Sequence, residues 1–137
     1  MLFECNNERD LREYSSLSLA FIGDGVYELL VRRMLLTNNC LPPNRLHSET
    51  VKYVSAKAQF RSLQAIEGML NEQEQAVVRR GKNATKATVA KHATPQEYRA
   101  ATALEALFGF LYLNNNFERI YVLFEQIVQH HQQEIMP

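Results

Sequence analysis

The chain has no excess of charge of either sign: fifteen Lys and Arg balance fifteen Asp and Glu over 137 residues. That balance excludes a uniformly basic nucleic-acid binder and a polybasic membrane anchor, while leaving local patches open. Cysteine is scarce. Cys5 and Cys40 have no Cys or His partner at ligand spacing, which excludes a disulfide scaffold and a zinc motif and suits free thiols in a reducing cytoplasm. Long hydrophobic runs are also missing. The most apolar stretch, LSLAFIGDGVYELLV, is broken by Asp24 and Glu28, and the stretch Ala103 to Leu113 is short and carries Glu105, so no membrane span is expected. The N-terminal MLFECNNERD lacks the apolar core of a signal peptide. Linkers, low-complexity tracts and repeats are absent too. What is present is an ordinary globular composition, 46% hydrophobic and 22% charged. Its length suits one compact, cytoplasmic domain covering residues 1–137.

The secondary-structure signals are mostly helical. Asn71 followed by Glu74 is a capping-box pattern, with Gly81 placed to end that helix at about Arg80. Thr94, Pro95 and Glu97 supply an N-cap, a first-turn proline and an acid at the third position, starting a helix to about Asn114. Ile120, Leu123, Phe124, Ile127 and Val128 share one face of a last helix. Pro42-Pro43 blocks helix and Asn44 starts a new one, while Ser55 caps another. The first third carries two signals. Asp24-Gly25 between LSLAFI and VYELLV is a hairpin pattern. The rival is one helix from about Ser16 to Thr37 containing Gly23 and Gly25, at a cost of roughly 1 kcal/mol each. The pattern favours the helix, in which the glycines would admit another backbone or a ligand at close range.

Three features carry chemistry. Asp24, one of two aspartates, interrupts the most apolar segment, where a carboxylate needs a partner, a hydrogen bond or a metal. Glu28 lies on the same helical face and reads as a solvated or ion-paired acid. Glu105 interrupts a second apolar stripe, beside Phe108 and Gly109. Two carboxylates from different helices, meeting near glycines, would seat a hard divalent cation such as Mg²⁺. The third feature is RRGKNATKATVAKH, residues 79–92, an acid-free stretch with Arg79, Arg80, Lys82, Lys86 and Lys91 that reads as a basic loop between two helices. Cations at a helix C-terminus favour the macrodipole, which accounts for Arg79 and Arg80. Lys82, Lys86 and Lys91 have no such account and suit a phosphate backbone, with Asn83 as a further donor. His47 and His92 are isolated. His130-His131 lies near a terminus expected to fray. Tyr98, Phe108, Phe110 and Tyr112 read as core.

Taken together, LAFIGDGVYEL and ATALEALFGFLYL resemble the two acidic helices of the ribonuclease III catalytic domain. YVSAKAQ, VVRRGKNA and EYRAATALEALFGFLYL resemble its short bacterial form, the Mini-ribonuclease III family, and the likeness covers nearly the whole chain. It implies an all-α, ribonuclease III-like helical bundle that forms a homodimer, with Phe21 matching an interface aromatic; a plain core phenylalanine is the alternative. It implies that Asp24 and Glu105 are the catalytic, Mg²⁺-holding carboxylates. Two further family carboxylates are replaced here by Ala20 and Thr102. The likeness further implies two staggered cuts in double-stranded RNA, leaving 5′-phosphate and 3′-hydroxyl ends. No double-stranded-RNA-binding domain is expected, so residues Arg79, Arg80, Lys82, Asn83, Lys86 and Lys91 are left to grip the duplex.

The expected function is therefore a Mg²⁺-dependent endoribonuclease that matures precursor large-subunit ribosomal RNA. The rival is a non-catalytic RNA-binding or ribosome-assembly module on the same fold, favoured by Ala20 and Thr102. A helical dimer with no RNA role is the third possibility.

Overall fold

The structure, a computed structural model, describes residues 9–84 and 93–135. Every regular element among them is helical. Helix α1 spans Ser16–Asn38, α2 Pro43–Val54, α3 Ala56–Ile66, α4 Glu72–Ala84, α5 Pro95–Leu113 and α6 Phe117–Ile135, with single 3-10 turns at Leu11–Glu13 and Glu67–Met69. No helix among the described residues is long and apolar enough to cross a membrane.

The ends follow local chemistry. Ser15 Oγ accepts from the Ser18 N–H at 3.0 Å to open α1, and Ser55 Oγ accepts from the Ala58 N–H at 3.2 Å to open α3. The Asn71–Glu74 and Thr94–Glu97 pairs are complete capping boxes, each with both reciprocal bonds at 2.8–3.0 Å. Helix α5 stops at Asn114, after which Asn115 takes φ 55°. The N–H groups of Asn115 and Asn116 then bond back to the carbonyls of Tyr112 and Leu111, a Schellman closure.

Helix α5 is the centre. Ala103, Leu104, Ala106, Leu107 and Phe108 are wholly inaccessible, and α1, α3, α4 and α6 all pack on this helix. A helix apolar on all sides is stable only when surrounded. The segment 16–38 is a continuous helix, not a hairpin, and the reason is one of its glycines. A Cβ on Gly23 would overlap the Glu105 carbonyl and lie 2.7 Å from the Gly109 nitrogen; a Cβ on Gly109 would overlap the Leu19 carbonyl. Gly23 and Gly109 thus let the α1 and α5 backbones touch where they cross. Gly25 has nothing within 4 Å of a built Cβ and plays no such part. Gly23→Ala is expected to lose about 3 kcal/mol, the top of the usual overpacking range. Gly25→Ala should gain up to about 1 kcal/mol from helix propensity. Chemical denaturation of the two variants checks this; a Gly23→Ala protein as stable as wild type would refute the crossing.

Three local expectations are corrected. Gly81 does not end α4, which continues to Ala84. Its missing side chain instead accommodates α5, because a Cβ there would sit 2.7 Å from Ala103 Cα. Pro43 is the first residue of α2, where a proline costs no hydrogen bond. The C-terminal histidines do not fray: α6 reaches Ile135 and His131 is buried.

Candidate active site

The crossing of α1 and α5 decides where the carboxylates lie. Asp24 follows Gly23 on α1, and Glu105 contributes the carbonyl that touches Gly23. The two side chains are hydrogen-bonded to each other. Asp24 is exposed and Glu105 is partly covered, so the pair lines the surface with one wet and one drier carboxylate. Burial, the Asp24 charge and the shared hydrogen bond push Glu105 up to about 8. Near neutral pH Glu105 is therefore drawn toward its protonated form.

A third side chain completes the cluster. Gln59 of α3 is only 2% exposed and hydrogen-bonds Glu105, favouring its ionised form. Sequence reasoning missed it, although a signal existed: Gln59 precedes Ser62, Leu63 and Ile66 at helical spacing on the buried stripe of α3. A glutamine on a core stripe requires a polar partner. The two positions where family carboxylates are absent contribute no charge. Ala20 is buried, and the Thr102 hydroxyl is engaged in donating to the Tyr98 carbonyl at 3.1 Å.

Among the described residues no set of three or more His, Cys, Asp or Glu side chains converges. Two carboxylate oxygen donors do converge, on a surface open to water. That set is too small for an all-protein cage but fits Mg²⁺, which keeps several waters and commonly takes one or two carboxylates plus substrate phosphate oxygens. Glu28 is not part of it; it pairs with Arg32 at 3.1 Å on the helix surface.

The basic stretch is not a loop throughout. Arg79, Arg80, Lys82 and Asn83 lie in the last turns of α4, while Lys86 and Lys91 lie outside the described residues. Arg79 and Arg80 are exposed. Lys82 has a partner that the sequence did not reveal, Glu67 at 3.1 Å, which offsets part of its charge. Lys82 and Asn83 also line a groove of about 300 Å³ with Gln64, Gln96 and Arg99. Arg99 is an exposed cation beyond the 79–92 stretch. Phe21 is not a core residue: it is 84% exposed on α1, with Leu17 at 45% one turn before it.

The profile of the ribonuclease III domain family matches residues 17–116. A protein of Thermoanaerobacter sp. named Mini-ribonuclease 3 is 49% identical over 115 residues, which is 84% of this chain and 81% of that protein. A Mini-ribonuclease 3 of Streptococcus pneumoniae is 40% identical over 88% of this chain and 95% of its own. A crystal structure of a Fusobacterium nucleatum protein, 34% identical, superposes with a TM-score of 0.82 over 89% of this chain and 99% of its own.

Proposed function

This chain belongs to the ribonuclease III family, and from that premise we propose a Mg²⁺-dependent endoribonuclease in which Asp24 and Glu105 hold the metal. The reaction class is hydrolysis of an RNA phosphodiester, leaving 5′-phosphate ends. The observation that carries the metal assignment is the meeting of the two carboxylates at the Gly23–Gly109 crossing. Asp24 is exposed and ready to bind. Glu105 must give up its proton to become a ligand, and Gln59 supports that ionised state by donating to it. When bound, Mg²⁺ supplies Lewis acidity to water and phosphate and neutralises charge that develops on the leaving oxygen. The arginines at the end of α4, with Lys82 and Asn83, suit the phosphates of an A-form duplex, whose shape offers little readable base code.

The finer substrate we infer is precursor large-subunit ribosomal RNA, a structured duplex that suits a local grip on an otherwise acidic body. The assembly we infer is a homodimer. Phe21 and Leu17 expose apolar surface on the α1 face that carries Asp24, and a second copy of α1 would cover it. The expected result is cleavage of double-stranded RNA by the pure protein with Mg²⁺ and none with EDTA, from a species of dimer mass by light scattering. Cleavage that ignores EDTA would remove the metal assignment. Duplex binding without cleavage would favour the ribosome-assembly alternative, and a monomer in solution would remove the dimer.

A further inference from the structure

Next to the candidate site, a buried hydrogen bond joins two of the same helices, α1 and α3, and the third, α5, packs against it through Phe108. The residues three positions beyond Asp24, Gln59 and Glu105 are Tyr27, Ser62 and Phe108, and all three are wholly inaccessible. Residues three apart stack on one helix face. Tyr27, Ser62 and Phe108 therefore share helix faces with the carboxylate cluster and form a buried layer next to it. Tyr27 closes it in both directions. Its hydroxyl is 3.0 Å from Ser62 Oγ on α3, and its ring meets the Phe108 ring of α5 edge-on at 5.2 Å.

Ser62 extends the chain to the C-terminal helix, with Oγ 2.8 Å from His131 Nε2 on α6. The Ser62 hydroxyl also donates to the Ala58 carbonyl at 3.0 Å. A serine hydroxyl has one hydrogen and two lone pairs. The node is complete when Ser62 donates to Ala58 and accepts from both the Tyr27 hydroxyl and an Nε2-protonated His131. The Tyr53 ring of α2 lies against His131 at 5.2 Å. Four of the six helices, α1, α2, α3 and α6, meet at or beside this node, and α5 joins through Phe108.

An apolar layer would hold these helices together without desolvating three polar groups. A fully satisfied buried network adds directional constraints, since each partner must keep its distance and angle. Metal sites need such constraints, because a misplacement of about 1 Å can cost on the order of a hundred-fold in rate. We propose that Tyr27, Ser62 and His131 are positioning residues: the hydrogen-bonded chain fixes the register of α1 against α3, and so the spacing of Asp24, Gln59 and Glu105. The inference makes the C-terminal helix part of the catalytic unit. It takes the site of the proposed function as given.

The test uses the full-length protein with Tyr27→Phe, His131→Leu and His131→Gln, each verified as folded by circular dichroism and melting. Steady-state cleavage of a defined RNA duplex and calorimetric Mg²⁺ titration of the RNA-free protein are measured. Tyr27→Phe and His131→Leu are expected to lower kcat by about 10- to 100-fold and weaken Mg²⁺ binding in parallel, with KM for RNA unchanged. His131→Gln, which offers an amide in place of Nε2–H, is expected to recover most of the loss. A folded Tyr27→Phe protein with wild-type kcat and Mg²⁺ affinity overturns the inference, even if its melting temperature falls. If His131→Leu does not fold, Tyr27→Phe alone decides. A wild type that cleaves in EDTA sinks the metal assignment only, since the kcat comparison among variants still decides the positioning role.

Discussion

Asp24→Asn is expected to lower cleavage of double-stranded RNA by about a thousand-fold or more while leaving the fold intact. Losing one of the two carboxylates proposed to hold the metal would remove several kcal/mol of transition-state stabilisation, and each 1.36 kcal/mol is ten-fold in rate. The fold should survive because Asp24 is exposed and the substitution keeps its shape. The same variant has a second, opposite signature in the metal-free protein. The unfolded chain ionises Glu105 near the ordinary 4.5, whereas the folded chain retains that proton up to about 8. The folded state thus binds more protons across this window. Metal-free wild type should lose stability as pH rises from about 4.5 to about 8 and level off above it. Removing the Asp24 charge takes away one cause of the raised value and leaves burial as the main one. Metal-free Asp24→Asn should therefore melt higher than wild type at pH 8, with little difference at pH 4.5. Melting curves in EDTA at the two pH values, beside a cleavage assay in Mg²⁺, read both signatures. A pure, folded Asp24→Asn protein that cleaves like wild type would falsify the assignment of Asp24.

The elements most legible in the sequence were those whose ends are set by local chemistry. Thr94, Pro95 and Glu97 fixed the start of α5, and Asn71 and Glu74 that of α4, because caps act within four residues. The carboxylates were legible as polar breaks in apolar stripes. Their meeting was not, since it depends on Gly23 and Gly109, which are 86 positions apart in the chain, lying opposite each other on two helices. Glycine shows why local reading stops there. Gly81 resembles a helix terminator, yet it sits within α4 because Ala103 presses against it from α5. Gly23 and Gly25 look equivalent in the sequence, and only Gly23 has a backbone against it. Gln59 is not legible by itself, because a glutamine is inconspicuous until its place on the buried stripe of α3 is counted. His131 lies near the end of the sequence, where fraying is expected, while its burial depends on Ser62 and Tyr53 on other helices.

Arg119→Met is expected to destabilise the protein by about 3–5 kcal/mol, or roughly 10 to 20 °C in melting temperature. Glu74 is almost wholly buried, at 1% exposure, and Arg119 grips it with two bonds of 2.8 Å while donating to the Met69 carbonyl. Among the described residues, the variant leaves this buried carboxylate with the Asn71 N–H as its one remaining partner. The pH dependence separates this from a simple packing loss. In wild type, burial works to raise Glu74, but the bonds from Arg119 and the Asn71 N–H outweigh it and hold the group below its ordinary value. Glu74 therefore contributes stability above about pH 4.5 that is lost as pH falls through its lowered value. Without Arg119, burial dominates and the carboxyl is pushed upward, so acid relieves the variant instead of harming it. The gap between the two proteins should be widest near pH 7 and should narrow toward pH 4. Removing both charges, with Glu74→Leu added, should cost less than Arg119→Met alone, the coupling expected of a buried pair. The pair ties the first turn of α6 to the first turn of α4, the helix whose far end carries Arg79, Arg80 and Lys82. Below its melting temperature Arg119→Met should therefore keep the Asp24–Glu105 site and its kcat, and lose RNA affinity as α4 loosens. A double-mutant cycle at pH 7 and pH 4 measures the coupling, and a loss below about 1 kcal/mol at pH 7, the level of an exposed ion pair, would show that the clamp does not hold α4 in place.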